Sequence, residues 1–470
     1  MKKFTVAVIA ACLISGSSAL SATPAQAQPA GDTVSLSAPT IQDVIFDAIA
    51  TWDPIREDAC LYSSESLKPP TNSADPWVAK GNCKIWKPEP GTPSGIYVVT
   101  WDSGKSKALL TISASPTSAQ TGHILVIVPD FTWQAYNLVK NGSFYFEAVG
   151  KKSENFSSRK LNLLRPLDFR AVGDPVNYPS APQLSPFANP IHFLREHYKD
   201  VDVVAQSDVD EYGYDLTKYK TLVLYGHDEY WTAKLRNSIV AAVADGVSLL
   251  NLSGNTGYRK LVREGEVIGF EKPTADNPTT SIWGELRGDT KPIKLLGVTY
   301  LGEPLGKRQN KPLKLSKRLI KELHAEGFPI SVPRKQILSF SSGMLVKDGN
   351  DPIYRGTKLK TGDFFGQASK VVSIEIDGIP ELANGDSDVA FIREFGTSPI
   401  SAAAEIWTNG RKQDSTTHWR AGTLVRTSFG KGKVFSAGPI GWAYSVANDD
   451  QVVKQITLNA LKYLGEETVH

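Results

Sequence analysis

Three titratable side chains, His227, Asp228 and Glu229, stand in a row directly after the short apolar run TLVLYG (221–226). Imidazole and carboxylate groups exchange protons and bind metal ions, so such a row can perform acid–base or metal chemistry. An apolar run without alternation is typical of a strand buried on both faces, where charged groups are costly. The abrupt change therefore predicts that the strand ends here and delivers its last residues to a cleft.

Three further apolar runs end in polar residues in the same way, namely HILVIVPD (123–130), VDVVAQSD (201–208) and VSLLNLSGN (247–255). In an open parallel sheet, ligands bind outside the carboxyl ends of the strands. We therefore expect these ends to form one cleft. The candidate catalytic residues are Glu229, His227 and Asp130, and the candidate substrate-binding residues are Trp133, Asn255 and Tyr230.

Each candidate also has a purely structural explanation. These explanations are a hydrogen bond within the turn for His227, a helix cap or dipole contact for Asp228 and Glu229, an ordinary turn for Asn255, and core packing for Trp133 and Tyr136. The convergence of several strand ends favours the functional interpretation more than any single residue does.

The elements that position these residues follow from the patterns between the runs. In TAKLRNSIVAAVADG, between the runs at 221–228 and 247–255, apolar residues recur at helical spacing, and Thr232 can cap the start and Gly246 the end. A strand, a helix and a strand within so short a stretch form a βαβ unit, which makes the sheet parallel. GKVFSAGPIGW (432–442) predicts another buried strand, and the last helix is expected at 452–463. The predicted fold class is α/β with an open, mostly parallel sheet.

The rest of the chain differs in texture from this α/β pattern. We expect a signal peptide at 1–27, an N-terminal segment with a small β domain at 28–119, the first part of the α/β domain at 120–264, a mostly β insertion at 265–400, and completion of the α/β domain at 401–470. The β domain is predicted from alternating residues on both sides of the turn Asp102-Ser103-Gly104-Lys105.

The first residues predict export. Lys2 and Lys3 precede the apolar run 4–14, which is too short to span a bilayer, and Ala25-Gln26-Ala27 offers a cleavage site. The prediction is a mature chain that begins at Gln28 and is secreted or periplasmic. A lipoprotein signal at Cys12 is the weaker alternative.

Two cysteines, Cys60 and Cys83, remain after cleavage. In an oxidising compartment this pair predicts one disulfide, and two unrelated free thiols are the alternative. The full chain has 52 basic and 49 acidic side chains, and loss of Lys2 and Lys3 leaves it near neutral. This balance argues against a dedicated nucleic-acid binder. No segment after residue 27 has about 18 consecutive apolar residues, so no transmembrane segment is predicted.

Five motifs carry a resemblance to a known family. They are PDFTWQAYN (129–137), NGSFYF (141–146), YGHDEYW (225–231), LLNLSGNTGYRKLVR (249–263) and KVFSAGPIGWAYSV (433–446). Together they resemble the C-terminal domain of the large (beta) subunit of N,N-dimethylformamidase and its relatives, from about 120 to 465. The resemblance implies a glutamine amidotransferase-like (flavodoxin-like) α/β fold that lacks the nucleophilic cysteine. The corresponding elbow here reads Tyr225-Gly226-His227.

The resemblance also implies an amidohydrolase built on a mononuclear iron that is held by two tyrosinates and one glutamate. The matching residues are Tyr136 and Glu229. The second tyrosine falls in an Arg-Pro-Tyr motif, which reads Arg165-Pro166-Leu167 in this chain, and Asp168 or Tyr178 are the alternatives for its place. A hard cation prefers oxygen ligands and lowers the pKa of a bound tyrosine or water.

The sequence therefore predicts a secreted hydrolase of an amide-type C–N bond in a small-molecule substrate, with iron as the implied cofactor. The alternative is a non-catalytic secreted binding module, for example for carbohydrate, that uses the same aromatic-rich cleft. The oligomeric state is not indicated by any of these patterns.

Overall fold

The structure is a computed structural model. It describes residues 33–40, 45–77, 83–117, 123–139, 142–148, 151–152, 159–168, 188–270, 292–304, 343–372, 375–379, 393–402, 407–408, 411–412 and 418–468. The predicted signal peptide, with its lipoprotein alternative at Cys12, and Tyr178 lie outside these ranges. Among the described residues, no helix combines the length and hydropathy needed to cross a membrane.

Two small antiparallel sheets precede residue 120. Their strands are β1 (Ser35–Ser37), β2 (Ile49–Asp53), β3 (Asp58–Tyr62), β4 (Lys84–Trp86), β5 (Gly95–Trp101) and β6 (Ser106–Ile112), in the orders β1-β5-β6 and β2-β3-β4. The predicted hairpin is confirmed because β5 and β6 pair antiparallel around the turn after Trp101. The predicted disulfide is confirmed as well, since Cys60 on β3 is bonded to Cys83 with the Cα atoms 5.4 Å apart.

Alternating strands and helices occupy residues 123–270. They are β7 (Ile124–Val128), α1 (Asp130–Tyr136), β8 (Phe146–Ala148), β9 (Lys151–Lys152), β10 (Lys160–Asn162), α2 (Ile191–His197), β11 (Val201–Ala205), α3 (Gln206–Tyr212), β12 (Thr221–His227), β13 (Tyr230–Thr232), α4 (Ala233–Asp245), β14 (Ser248–Gly254), β15 (Arg259–Glu264) and β16 (Val267–Gly269).

The remaining elements are mostly strands until the chain closes with two helices. They are α5 (Pro292–Leu296), β17 (Thr299–Pro304), β18 (Met344–Val346), β19 (Phe364–Phe365), β20 (Ile376–Gly378), β21 (Arg393–Ala402), β22 (Trp407–Thr408), β23 (Arg411–Lys412), β24 (His418–Phe429), β25 (Gly432–Ser436), α6 (Gly441–Ala447) and α7 (Gln451–Leu464).

One large sheet joins most of these strands in the order β11-β7-β12-β14-β25-β24-β21-β17-β20. The first five strands are parallel to one another, as the sequence predicts, and those from β24 onward pair antiparallel. Strands from the segment predicted as an insertion thus extend the main sheet. The α/β class with a large sheet and small antiparallel sheets is confirmed, while the domain boundaries stay a prediction.

The central strands lie between two hydrophobic cores, which explains their unbroken apolar runs. Every residue of β12 is buried. Val223 and Tyr225 of this strand pack into one core, and Leu222 and Leu224 pack into the other on the opposite face. Because successive strand side chains point to opposite faces, both sets must be apolar.

Helix α4 forms where the sequence predicts it. Thr232 accepts a hydrogen bond at Oγ1 from the Leu235 backbone N–H at 3.1 Å, and Gly246 ends the helix with a φ of 126°. This cap satisfies one of the first N–H groups of the helix, which have no partner within it. The helix returns the chain from β12 to the parallel strand β14, so both strands end at the same edge of the sheet.

Candidate functional site

Glu229 lies at the centre of a buried cluster of phenol groups. Tyr136 Oη donates to Glu229 Oε2 at 2.6 Å, and Tyr145 Oη donates to Glu229 Oε1 at 3.0 Å. The two phenol oxygens are 3.3 Å apart, and Tyr230 Oη donates to Tyr145 Oη at 2.5 Å. One carboxylate therefore binds phenol hydroxyl groups from separate parts of the chain.

Backbone geometry at the end of β12 delivers Glu229 to this position. Gly226 has a φ of 68°, a left-handed conformation that glycine adopts without strain, just before His227. Beyond the strand, the Arg259 backbone N–H donates to the Glu229 carbonyl at 2.8 Å, where β15 runs beside β13. The Tyr230 N–H donates to Thr132 Oγ1 of α1 at 3.2 Å, which ties the turn to the helix that carries Tyr136.

His227 lies between two carboxylates. Its Nε2 is 3.3 Å from Glu229 Oε2 and 3.0 Å from Glu375 Oε2. Asn255 Nδ2 donates to the same Glu375 oxygen at 2.9 Å. His227, Glu229 and Asn255 are buried, whereas the Glu375 side chain is 17% exposed, so the cluster opens to solvent on the Glu375 side.

Asp377 fixes the turn after β14. Asn255 adopts a left-handed φ of 55°, and its backbone N–H donates to Asp377 Oδ1 at 2.8 Å. The next N–H, from Thr256, donates to Asp377 Oδ2 at 3.1 Å. Burial raises the pKa of Asp377 to about 7, although these hydrogen bonds lower it. Asn255 thus belongs to a turn and also contacts the cluster through Glu375, while its role in substrate binding stays a prediction.

The charges of His227 and Glu229 are set by their contact with each other and, for His227, by Glu375 as well. Burial lowers the pKa of His227, but Glu375 and Glu229 outweigh it and raise this pKa to about 10. Burial raises the pKa of Glu229, but hydrogen bonding and charge attraction from His227 bring it below its usual value. Near neutral pH the pair is therefore imidazolium and carboxylate.

The phenols of the cluster hold their protons. Burial, and then the Glu229 charge, raise the pKa of Tyr136, Tyr145 and Tyr230 above the usual value for tyrosine. Arg259 approaches from the other side, with Nε 3.5 Å from Glu229 Oε1, and brings a permanent positive charge. A further cation would reverse the effect on the phenols, because positive charge favours the ionised form.

The donor set fits a hard metal ion. The oxygens of Tyr136, Tyr145 and Glu229 lie within hydrogen-bond distance of one another, and phenolate and carboxylate oxygens suit such a cation. A second set of three residues, His227, Glu229 and Glu375, offers ligand atoms within 4.8 Å of one another. The two sets share Glu229, and the set made only of oxygen atoms matches the ligand preference of a hard cation more closely.

Other residues named in the sequence analysis have their described contacts outside the Glu229 cluster. Asp130 begins α1, where its Oδ1 accepts the Ser207 N–H at 3.2 Å, and no described contact joins it to Glu229. Trp133 is buried in a hydrophobic core. Leu167 also packs against that core, and the Asp168 backbone N–H donates to Asn137 Oδ1 at 3.0 Å.

Asp228 does not cap α4, because Thr232 does so. Its side chain is fully buried, and Oδ1 accepts from Gln206 Nε2 at 2.5 Å and from Trp231 Nε1 at 2.8 Å. Burial raises the pKa of Asp228 to about 7, although these two donors lower it. Asp228 thus anchors the turn, and Glu229 beside it faces the cluster.

Sequence reasoning missed two residues of the cluster, Tyr145 and Glu375. Tyr145 stands in NGSFYF, one of the motifs that carry the family resemblance. That motif indicated the importance of the segment but did not single out this side chain. Glu375 interrupts the strand-like piece VVSIEIDG, and an acid between two isoleucines was the available signal. Its position depends on the pairing of Asp377 N–H with the Gly438 carbonyl at 3.0 Å, a contact distant in sequence.

Comparisons with known proteins place the chain in one family. Among solved structures, beta-galactosidase from Bacillus circulans sp. alkalophilus aligns with 74% of this chain and 32% of its own, at 9% identity and a TM-score of 0.31. The chain thus spans about a third of that protein, and this likeness carries no argument about fold or function. No curated protein matches the chain. The family model described as N,N-dimethylformamidase beta subunit-like, C-terminal, matches residues 63–453, and the chain belongs to this family.

Proposed function

We propose that the protein hydrolyses an amide-type C–N bond of a small molecule at the Glu229 cluster. The observation that carries this proposal is the meeting of Tyr136 and Tyr145 on Glu229 beside the His227–Glu375 pair. Membership of the dimethylformamidase-like family supports the same reaction class.

Tyr136, Tyr145 and Glu229 would hold an iron ion in this scheme. Tyr145 takes the place of the second tyrosine, because Leu167 cannot ligate a metal. When bound, the ion polarises an amide carbonyl and lowers the pKa of a water molecule. Loss of the two phenol protons is required first, so we expect iron uptake to release protons.

The residues around the ion move the protons of the reaction. Glu375 accepts a proton from the attacking water at Oε2, and the water oxygen bonds to the carbonyl carbon. Imidazolium His227 donates its Nε2 proton to the leaving nitrogen as the C–N bond breaks, which yields a carboxylic acid and an amine. Without metal, Glu375 and Glu229 outweigh burial and raise the pKa of His227 to about 10, so these two carboxylates favour retention of this proton.

Asn255 and Tyr230 support the reacting groups. Asn255 orients Glu375, and its buried Oδ1, which has no hydrogen-bond partner among the described residues, can accept a substrate N–H. Tyr230 orients Tyr145 through its hydroxyl group. Asp130 and Trp133 take no direct part in this scheme, because their contacts lie with Ser207 and with the core.

We also propose that the protein is secreted or periplasmic and that its sheet is of the glutamine amidotransferase-like type. The bond between Cys60 and Cys83 supports export, because disulfides persist in oxidising compartments. The parallel strands β11, β7, β12 and β14, with a polar turn after β12, support the fold type.

The experiment compares wild type with Glu229→Gln and with the control Glu264→Gln, whose exposed carboxylate pairs with Lys160 at 3.2 Å. Iron per chain is measured after iron loading, and hydrolysis is assayed with formamide, N,N-dimethylformamide and acetamide. We expect stoichiometric iron and turnover in wild type and control, and a loss of at least about 100-fold in E229Q. Wild type that binds no iron and hydrolyses none of these amides would contradict the proposal and favour the binding-module alternative.

A further inference from the structure

We propose that Arg165 is a positioning residue that holds the Tyr145 loop against α1 and thereby assembles the two phenols on Glu229. The claim deepens the proposed function and rests on it, because Arg165 acts through Tyr145 and has no described contact with Glu229 or His227.

The guanidinium of Arg165 joins the two segments that carry the phenols. Nη2 donates to the Gln134 carbonyl at 2.6 Å, and Nη1 donates to the Gly142 carbonyl at 2.7 Å. Gln134 lies two residues before Tyr136, and Gly142 lies three residues before Tyr145. Arg165 is only 2% exposed, so both contacts are shielded from water.

A buried guanidinium is costly unless its donors are satisfied, and hydrogen bonds from a charged donor are stronger than neutral ones. Burial lowers the pKa of Arg165 to about 9, so the group is still charged at neutral pH. Its planar fork can reach two carbonyls in fixed directions, whereas a lysine ammonium is a point charge on a flexible stem. We therefore expect a lysine at this position to hold the two carbonyls less well.

Loss of Arg165 should disturb the position of Tyr145 more than that of Tyr136. The end of α1 is held to the chain around Arg165 by other contacts, among them Asn137 Nδ2 donating to the Pro166 carbonyl at 2.7 Å. The Tyr145 loop has the Arg165 contact and the Phe144 N–H, which donates to the Ala135 carbonyl at 3.0 Å. Loss of Arg165 thus removes the contact that holds the Gly142 carbonyl, while the Phe144 N–H and the hydroxyl contacts of Tyr145 remain.

The test compares Arg165→Lys and Arg165→Gln with a matched control, Arg195→Lys. Arg195 also donates to two carbonyls, those of Ser94 at 2.5 Å and Val201 at 3.1 Å, but it does so beside β11. Hydrogen exchange of the segment 142–146 and of α4 is measured by mass spectrometry without metal. Iron affinity and amide turnover are measured in the same variants.

We expect R165K to raise exchange in 142–146 by about tenfold or more, with α4 unchanged, and to weaken iron binding by a similar factor. R195K should leave both at the wild-type level. The double variant R165K/Y145F should bind iron no more weakly than Y145F alone, because Arg165 acts through Tyr145.

Unchanged exchange at 142–146 in R165K and R165Q would overturn the proposal, as would additive losses in the double variant. Failure of both variants to fold, with R195K folded, would assign Arg165 to the fold and overturn it too. The hydrogen-exchange measurement needs no metal or substrate. If wild type neither binds iron nor hydrolyses amides, the proposed function fails while the tether is still tested.

Discussion

At the residue scale, Glu229 is the group that the other side chains of the cluster contact. Its two oxygens accept from Tyr136 and Tyr145, and His227 and Arg259 bring positive charge to the same oxygens. A buried carboxylate is tolerated because these donors and cations surround it. Removing any one of them changes the proton affinity of the rest, and this makes the cluster measurable by titration.

Glu375→Gln should lower the pKa of His227, because Glu375 is the largest of the influences that raise this pKa to about 10. The imidazole is followed by NMR titration of its ring protons. Glu196→Gln is the control, since Glu196 lies 3.2 Å from the exposed His192 and far along the chain from this cluster. A His227 pKa that is the same in wild type and E375Q would contradict the assigned contact.

At the element scale, the edge strand β11 joins the N-terminal hairpin to the main sheet. The Ala114 N–H donates to the Val203 carbonyl at 2.8 Å, and Ser113 Oγ donates to Asp208 Oδ2 at 2.5 Å. Asp208 lies in the first turn of α3 and is buried at this junction. Burial raises its pKa to about 8 from the ordinary 3.8.

Asp208→Asn should therefore change how stability depends on pH. In the wild type the folded state keeps the Asp208 proton up to about pH 8, whereas the unfolded chain loses it near 3.8. The contribution of this proton to the free energy of unfolding is fully present below pH 3.8. It falls as pH rises towards 8, by at most about 1.4 kcal/mol per pH unit. The free energy of unfolding, measured with denaturant at pH 5, 7 and 9, should fall less with rising pH in D208N than in wild type. Parallel losses in the two proteins would contradict the prediction.

The parallel strands and α4 were predictable because their signals are local. Buried strands give unbroken apolar runs, and Thr232 and Gly246 bound the helix through contacts only a few residues long. The arrival of Glu375 beside His227 depends on pairing between β20 and the chain around Gly438, which no local pattern records. The catalytic role of Asp130 stays a prediction, since the end of a parallel strand places a residue at the edge of the sheet but does not fix the direction of its side chain.

At the scale of the whole molecule, the disulfide closes a loop that contacts the segment leading to the site. Ser73 Oγ donates to the Lys160 carbonyl at 2.7 Å, and the Trp77 N–H donates to the Leu164 carbonyl at 3.3 Å. Both contacts come from the loop that the bond between Cys60 and Cys83 closes. The loop therefore braces the strand that precedes Arg165.

Replacing Cys60 and Cys83 together by serine should lower the free energy of unfolding by about 3 kcal/mol, because the unfolded chain regains the entropy of the open loop. Urea unfolding measures this difference, and wild type with reductant is the matched control. Equal stability of the serine variant and the oxidised wild type would show that the bond constrains nothing.

The location of bound iron tests the central claim most directly. A crystal of the iron-loaded protein, with data collected on both sides of the iron absorption edge, gives the position of the metal from anomalous scattering. We predict one peak bonded to the oxygens of Tyr136, Tyr145 and Glu229, with His227 and Glu375 unligated beside it. A peak held by His227, Glu229 and Glu375, or a peak remote from Glu229, would contradict the claim.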